Sequence, residues 1–342
     1  MKAFQLVAPG KAEITEVDVP EPGPGEVLLE VTGSGVCHSD LHLLHVEGLP
    51  FPMTLGHEPA GRVAAAGPDV TGWDTGATAI GYLAWGCGVC RQCAVGAENV
   101  CERFPRAFPP GPGLGYPGAM AEYMLFPARA LVPLGDLDPV ESAPLADAGL
   151  TPYHAIVRSR DLLTPSATAV VIGVGGLGHM AVQILRAVTG SRIVAVDVDP
   201  ARLRAARTYG ADEALVSDGD VTAAILDLTG GVGADVVLDF VGSQATMAIG
   251  AATIASYGDL AVVGLAGGTL AFGGEITARG LPWGVTVSTP YGGTRRDLHE
   301  VLALARQGRI KAQVERHPLA DAAAVLDRLE AGQVQGRAVL IP

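Results

Sequence analysis

The stretch from Ala169 to Asp197, AVVIGVGGLGHMAVQILRAVTGSRIVAVD, limits what this chain can fold into more than any other. An apolar run, Ala169–Ile172, leads into Gly173, Gly175, Gly176 and Gly178, of which the first, second and last have G-x-G-x-x-G spacing. A helical pattern then runs to Gly190, and a second apolar run, Ile193–Val196, ends on Asp197, 19 residues after Gly178. Strand, glycine turn, helix, strand and acid is the order of a dinucleotide-binding βαβ unit. Gly173 permits a tight turn, Gly175 lets the backbone approach a pyrophosphate, and Gly178 lets helix and strand pack closely. The helix start offers free N–H groups and the positive end of its dipole to phosphate. Chance glycine triplets are common in a chain with 46 glycines, so the flanking strands and the acid carry the inference. Without them the segment would read as a glycine-rich turn that binds nothing.

A chain of 342 residues suggests two domains, because single cores stop growing near 250–300 residues. The formal net charge of −13, with no basic cluster longer than Arg295-Arg296, argues against nucleic acid or an anionic membrane as partner. The longest uncharged stretches, Ala167–Leu185 and Val241–Gly258, carry Gly, Ser, Thr, Gln or His throughout. They read as buried α/β core rather than membrane spans. The amino-terminal MKAFQLVAPGK lacks the apolar core of a secretory signal, so a cytoplasmic location is expected. Five cysteines, four of them within Cys87–Cys101, suggest metal in a reducing compartment rather than a disulfide framework.

Residues 1–30 alternate short apolar runs (Lys2–Val7, Ala12–Val19 and the start of Glu26–Thr32) with Pro/Gly turns, the punctuation of antiparallel sheet. Gly56–Gly67, Ala77–Leu83, Ala119–Leu125 and Ala130–Val132 continue it, and Asp138–Leu150 reads as a helix with Pro139 in its first turn. Strands and helices then alternate. Strands are expected at Ala169–Ile172, Ile193–Val196, Glu213–Val216, Ala234–Asp239, Leu260–Gly264 and Val285–Ser288, a pattern that means a parallel, doubly wound sheet. Thr294-x-x-Asp297 starts a helix that Gly308 stops; a second helix, Asp321–Ala331, and a last strand, Arg337–Ile341, follow.

Cys87, Cys90, Cys93 and Cys101 stand as C-x₂-C-x₂-C-x₇-C. Four thiolates so spaced can enclose one tetrahedral zinc with no open position, which makes the site structural. An iron–sulfur cluster is the alternative, but the usual ferredoxin run closes sooner and is followed by proline. The fifth cysteine, Cys37 in GVCHSDLH, is far from these, as are His57-Glu58 in LGHEPAG and Asp147 in PLADAGLTPYHA. Taken singly, each has a purely structural reading, and spacing alone cannot bring dispersed residues together.

GVCHSD, GHE, the four-cysteine lobe, DAGLTPYHA and VIGVGGLGH, in this order, resemble the zinc-containing alcohol dehydrogenases of the medium-chain dehydrogenase/reductase family across essentially the whole chain. With aspartate where many relatives have cysteine, the chain is most similar to the bacterial secondary alcohol dehydrogenases. The resemblance implies an α/β protein with a GroES-like, β-rich catalytic domain in two pieces, 1–147 and 291–342, carrying the structural zinc lobe (87–101). A Rossmann NAD-binding domain, 148–290, lies between them. It implies that Cys37, His57 and Asp147 hold a catalytic zinc, with Glu58 an intermittent fourth ligand or a supporting group. Three protein ligands leave a position for water or substrate, where zinc polarises an alcohol or carbonyl oxygen. Ser39 resembles the hydroxyl that takes the alcohol proton and His42 the outer relay imidazole.

For the cofactor, Asp197 would accept hydrogen bonds from both ribose hydroxyls and repel a 2′-phosphate, which favours NAD over NADP. By resemblance, Arg202 lies beside the adenosine ribose and Arg337 reaches the pyrophosphate. Thr151, Leu177 and Leu265 flank the nicotinamide, and Leu83, Trp85 and Tyr291 line the substrate pocket. Close relatives often have a second bulky aromatic after that tyrosine; Gly292 stands there instead, so a roomier pocket for bulky or aryl ketones is expected. WDTGATA (73–79) departs from a common Gly-Asp pair, which implies a changed turn without catalytic effect. The expected activity is NAD-linked oxidation of a secondary alcohol, or ketone reduction in reverse, by a homo-oligomer (tetramer or dimer) joined through Val285–Ser288. A polyol or sugar dehydrogenase of the same family is the nearest alternative. A metal-free quinone or enoyl reductase would lack the cysteine lobe and ligand pair, and a non-catalytic nucleotide-binding relative would bind NADH without turnover.

Overall fold

The glycine turn lies at the carboxyl end of the strand Thr168–Ile172, the third strand of a six-stranded sheet. The strand order is Glu213–Val216, Arg192–Asp197, Thr168–Ile172, Ala234–Asp239, Ile254–Val262, Thr286–Ser288, and every neighbouring pair is parallel. Parallel strands need crossovers. The helices Gly178–Val188, Pro200–Tyr209, Val221–Leu228 and Gln244–Thr253 supply them. The central strands, buried on both faces, are rich in Val, Ile, Leu and Ala, and Val170, Ile172, Val194, Val196, Val237 and Leu260 anchor the core. The α/β class and doubly wound sheet expected from alternation are therefore present.

This is a computed structural model, and it describes residues 1–46, 48–105, 109–271 and 280–342. The chain divides into two compact units, Met1–Leu150 with Gly292–Pro342, and Thr151–Tyr291.

In the first unit, a seven-stranded sheet runs Leu131–Pro133, Thr78–Gly81, Glu58–Ala66, Glu26–Gly35, Arg337–Ile341, Val314–Pro318, with Tyr123–Pro127 also paired to Glu26–Gly35. Its pairings are antiparallel except Val314–Pro318 with Arg337–Ile341. The last strand of the chain thus returns to pair with Glu26–Gly35, from the first part of the chain. A second sheet joins Lys11–Glu16, Lys2–Ala8 and Met53–Thr54. The helix Arg295–Arg306 opens with the capping box expected at Thr294 and Asp297.

One expectation fails locally. The single helix expected at Asp138–Leu150 is instead a short α-turn, Pro139–Ser142, then a 3₁₀ turn, Ala143–Ala146. Pro144 has no N–H for a regular helix, and Asp147 leaves helical geometry at φ −128°, ψ −58°. A new helix then runs Leu150–Arg158. The segment CHSDLHL, for which the sequence carried no structural expectation, forms the helix His38–Leu43 with Cys37 as its N-cap.

Candidate metal centres and nucleotide site

Cys37 and Asp40 form a reciprocal cap: the Cys37 N–H donates to Asp40 Oδ2 at 2.8 Å. Asp40 is fully buried. His57 precedes the strand Glu58–Ala66, and Asp147 occupies the break between two helices. The sulfur of Cys37, a ring nitrogen of His57 and a carboxylate oxygen of Asp147 lie within 4.8 Å of one another. Asp147 Oδ2 is 3.5 Å from Cys37 Sγ and 3.7 Å from His57 Nε2. One sulfur, one imidazole and one carboxylate oxygen at these separations make a donor set that suits zinc and is open to one further ligand.

Asp40, which the sequence reading passed over, faces His57 Nδ1 at 3.3 Å. The approach is electrostatic rather than a well-directed hydrogen bond, since neither atom has a hydrogen-bond partner. It leaves Nε2 toward Asp147 and Cys37, the arrangement by which a carboxylate orients a ligating histidine. The signal was present: Cys-x-x-Asp is an N-cap with an acid at N3. Burial opposes a charge on His57, but Asp40 first, then Asp147 and Cys37, outweigh it and hold its pKa well above the ordinary value. A metal arriving at Nε2 must displace that proton. Asp40→Asn is expected to weaken zinc retention or turnover by about 10–100-fold, read from zinc release to a chelator. Unchanged release would mean that His57 needs no orientation.

Ser39 and His42 share a face of the short helix at i, i+3. Ser39 Oγ is 3.7 Å from Cys37 Sγ and half-buried, whereas His42 is exposed. Glu58 is fully buried and accepts from the Ala148 N–H at 3.2 Å and from Arg337 Nε at 3.1 Å on each oxygen. It supports the site from behind and lies outside the three-donor cluster. Burial pushes its pKa up to about 7 against the pull of Arg337. Arg337 differs from expectation. It is buried and donates to Glu58 and, at 2.8 Å, to Asp147 Oδ2. A guanidinium enclosed by two carboxylates is engaged here rather than offered to a pyrophosphate.

The sulfurs of Cys87, Cys90, Cys93 and Cys101 form a second cluster within 4.8 Å. Backbone N–H groups, Cys93 foremost, pull the Cys90 thiol down to about 6, while burial pushes Cys93 up to about 12. Four sulfurs with no other donor suit a closed tetrahedral zinc. Arg129 Nη2 ties the lobe down through the Gly86 carbonyl at 2.6 Å, and buried Glu98 lies between Arg129 and Arg295 at 3.9 and 3.8 Å. Next to it, Trp85 donates to the Tyr82 carbonyl, stacks on Tyr116 at 5.4 Å and meets Phe126 edge-on at 4.9 Å. Leu83 is buried, and a Cβ on Gly292 would lie 3.1 Å from its Cδ1. The space expected from Gly292 is thus flanked by Leu83 rather than open.

In the second unit the glycines play distinct parts. Gly173 has φ +85°, and a Cβ there would lie 2.5 Å from Val241 Cγ2. A Cβ on Gly178 would collide with the Gly173 carbonyl, whereas one on Gly175 would meet only Arg202 Nη1 at 4.0 Å. Gly175 is therefore the position where another molecule can approach the backbone. Asp197 is buried and accepts from the Val174 N–H at 2.6 Å and the Asp199 N–H at 2.9 Å, which fixes it against the turn with lone pairs remaining. Arg202 Nη1 stands 3.9 Å from Asp197 Oδ1. Gly176 and Leu177 are half-buried in the loop, Thr151 is buried, and Leu265 is 70% exposed. Tyr291 closes the second unit in sequence.

Comparison with known proteins agrees with this geometry. Residues 23–136 match the alcohol dehydrogenase GroES-like domain and residues 176–307 the zinc-binding dehydrogenase domain. An NAD-dependent alcohol dehydrogenase of Sulfurisphaera tokodaii is 37% identical, with 100% of each chain covered. A D-arabinose 1-dehydrogenase (NADP⁺) of Saccharolobus solfataricus is 34% identical over 96% of this chain and 94% of its own. The crystal structure of the alcohol dehydrogenase from Aeropyrum pernix superposes with a TM-score of 0.92 at 37% identity, covering 100% of both chains. A three-donor cluster, a four-cysteine lobe and a glycine turn closed by an acid thus occur in a chain matched end to end by such enzymes: it belongs to the zinc-dependent alcohol dehydrogenases of the medium-chain dehydrogenase/reductase family.

Proposed function

We propose that the protein is a zinc- and NAD-dependent alcohol dehydrogenase that interconverts secondary alcohols and ketones. The observation that carries this reading is the convergence of Cys37, His57 and Asp147, three donors of different chemistry, at one buried point. When bound, zinc supplies Lewis acidity to the substrate oxygen and NAD accepts the hydride. Cys37, His57 and Asp147 hold the metal, and Asp40 orients His57. Ser39, half-buried beside Cys37, takes the alcohol proton, and exposed His42 is the outer relay imidazole. Cys87, Cys90, Cys93 and Cys101 hold a second, structural zinc.

NAD rather than NADP fits the second unit, because Asp197 is a fixed buried carboxylate where a 2′-phosphate would have to lie. Thr151, Leu177 and Leu265 are assigned to the nicotinamide end and Arg202 to the adenosine ribose. Asp197→Gly is expected to raise the KM for NAD by about 10–100-fold, as loss of a charge-assisted hydrogen bond implies. It should also narrow the gap to NADP by freeing Arg202 for the added phosphate. Steady-state kinetics with both cofactors test this, and an unchanged preference would place the acid elsewhere.

The 34% identity to a D-arabinose 1-dehydrogenase favours a sugar or polyol substrate as the second reading. The buried, apolar Leu83 beside Gly292 favours an apolar secondary alcohol instead, with Trp85 as a further wall. NADH formation on a panel of secondary alcohols, aryl ketones and sugars, with zinc counted per chain, separates the readings. Sugars alone turning over would overturn the first.

Thr286–Ser288 is an edge strand, with Val287 and nearby Trp283 exposed. Pairing of this edge with a second copy gives the proposed homo-oligomer. Among the described residues no helix is long and apolar enough to cross a membrane. Five free thiols, four in a metal-spaced cluster, fit the proposed cytoplasmic location.

A further inference from the structure

Arg337 lies inside the candidate zinc site. Its side chain is 3% exposed, and its Nη2 donates to Asp147 Oδ2 at 2.8 Å while Nε reaches both Glu58 oxygens at 3.1 Å. That same Asp147 oxygen lies 3.5 Å from Cys37 Sγ and 3.7 Å from His57 Nε2. A single oxygen therefore faces both the guanidinium and the point where the three donors converge. The surrounding groups are Glu58, Asp147, Asp40, Cys37 and His57, so buried carboxylates outnumber the one permanent cation. Carboxylates withdrawn from water without a cation are strongly unfavourable. Among the described residues, Glu58 accepts only from the Ala148 N–H besides Arg337. The strand opposite also makes room for it: a Cβ on Gly35 would overlap the Glu58 carboxyl group.

We propose that Arg337 is the internal counter-ion of the metal site. It holds the ligand carboxylate of Asp147 in place while no metal is bound, and it shares that carboxylate's charge once a metal arrives. The inference rests on Cys37, His57 and Asp147 holding zinc. Two cations drawn to one carboxylate oppose each other, and linkage makes the opposition reciprocal. Arg337 therefore keeps the metal-free site folded and, by the same interaction, lowers its affinity for zinc. This positioning role differs from simple packing, which would stabilise both forms equally. It differs also from pre-organisation alone, which would raise the affinity.

The test compares wild type, Arg337→Met and Arg337→Lys, each with two zinc ions per chain and after dipicolinate treatment that leaves only the cysteine-lobe zinc. Melting temperature and zinc affinity, by competition with a chromophoric chelator, are the readouts. Metal-depleted Arg337→Met is expected to melt about 10 °C below depleted wild type, the scale of an uncompensated buried charge. The zinc-loaded forms should differ by no more than about 3 °C. Zinc should bind Arg337→Met tighter by roughly tenfold, an ordinary coupling between two sites, and Arg337→Lys should resemble wild type. Equal melting losses in both forms, weaker zinc binding, or failure of Arg337→Met to fold with zinc present would each overturn the proposal. If wild type itself never takes a second zinc, the metal-site reading falls first and the inference with it, a result obtained without any Arg337 variant.

Discussion

Asp147→Ala is expected to remove one zinc from each chain and to lower turnover by roughly 10³-fold, since Lewis-acid stabilisation of several kcal/mol at about 1.4 kcal/mol per decade gives that figure. The structure indicates why one carboxylate matters so much. Its Oδ2 lies near both Cys37 Sγ and His57 Nε2, and the Asp147 backbone sits in a break between helices that aims it there. With alanine, two donors remain, too few to retain a catalytic zinc against a chelator. The fold should persist, because Asp147 belongs to neither flanking helix and Arg337 keeps Glu58 as partner. Metal analysis, circular dichroism and NADH formation decide the matter. Full activity with both zinc ions bound would remove Asp147 from the ligand set.

The second large effect is expected on stability. Cys93→Ser should release the lobe's zinc and lower the melting temperature by about 10 °C or more, because metal binding and folding are one process in such sites. Turnover per folded molecule should change little. Cys93 is buried, and a Cβ on neighbouring Gly86 would come within 2.8 Å of its sulfur. The lobe is anchored through Gly86 to Arg129 and through Glu98 to Arg129 and Arg295, so loosening it frees charges that now face one another. If turnover fell while melting stayed constant, the cluster would be catalytic rather than structural.

Legibility in the sequence followed the range of the interactions. The glycine turn was readable because a positive φ at Gly173 and a close contact at Gly178 forbid side chains within ten residues of one another. The central parallel strands announced themselves as apolar runs because both faces are buried. The capping box at Thr294–Asp297 and the closing strand Arg337–Ile341 are equally local. The four cysteines were readable as one metal cluster because their ligands fall within a single short loop.

Other features were hidden for the opposite reason. The run from Asp138 to Leu150 has helical composition throughout, yet Pro144 and the demands on Asp147 divide it into three pieces. Asp40 has no visible role until the fold places His57 beside it. Arg337 reads as a surface or phosphate-binding charge until the final strand carries it beneath Glu58 and Asp147.

By itself, then, the sequence determined everything set by near neighbours: the doubly wound sheet, the nucleotide turn, the lobe of thiols and the β-rich start. Only the tertiary structure decided which distant side chains share one buried space. Cys37, His57 and Asp147 are separated by 20 and 90 residues, and no periodicity links them. Antiparallel pairing of Glu26–Gly35 with Glu58–Ala66 brings the first two together, and the broken helix delivers the third. Which charges then balance one another depends on burial, which removes water as a partner and leaves each group only its neighbours in the fold.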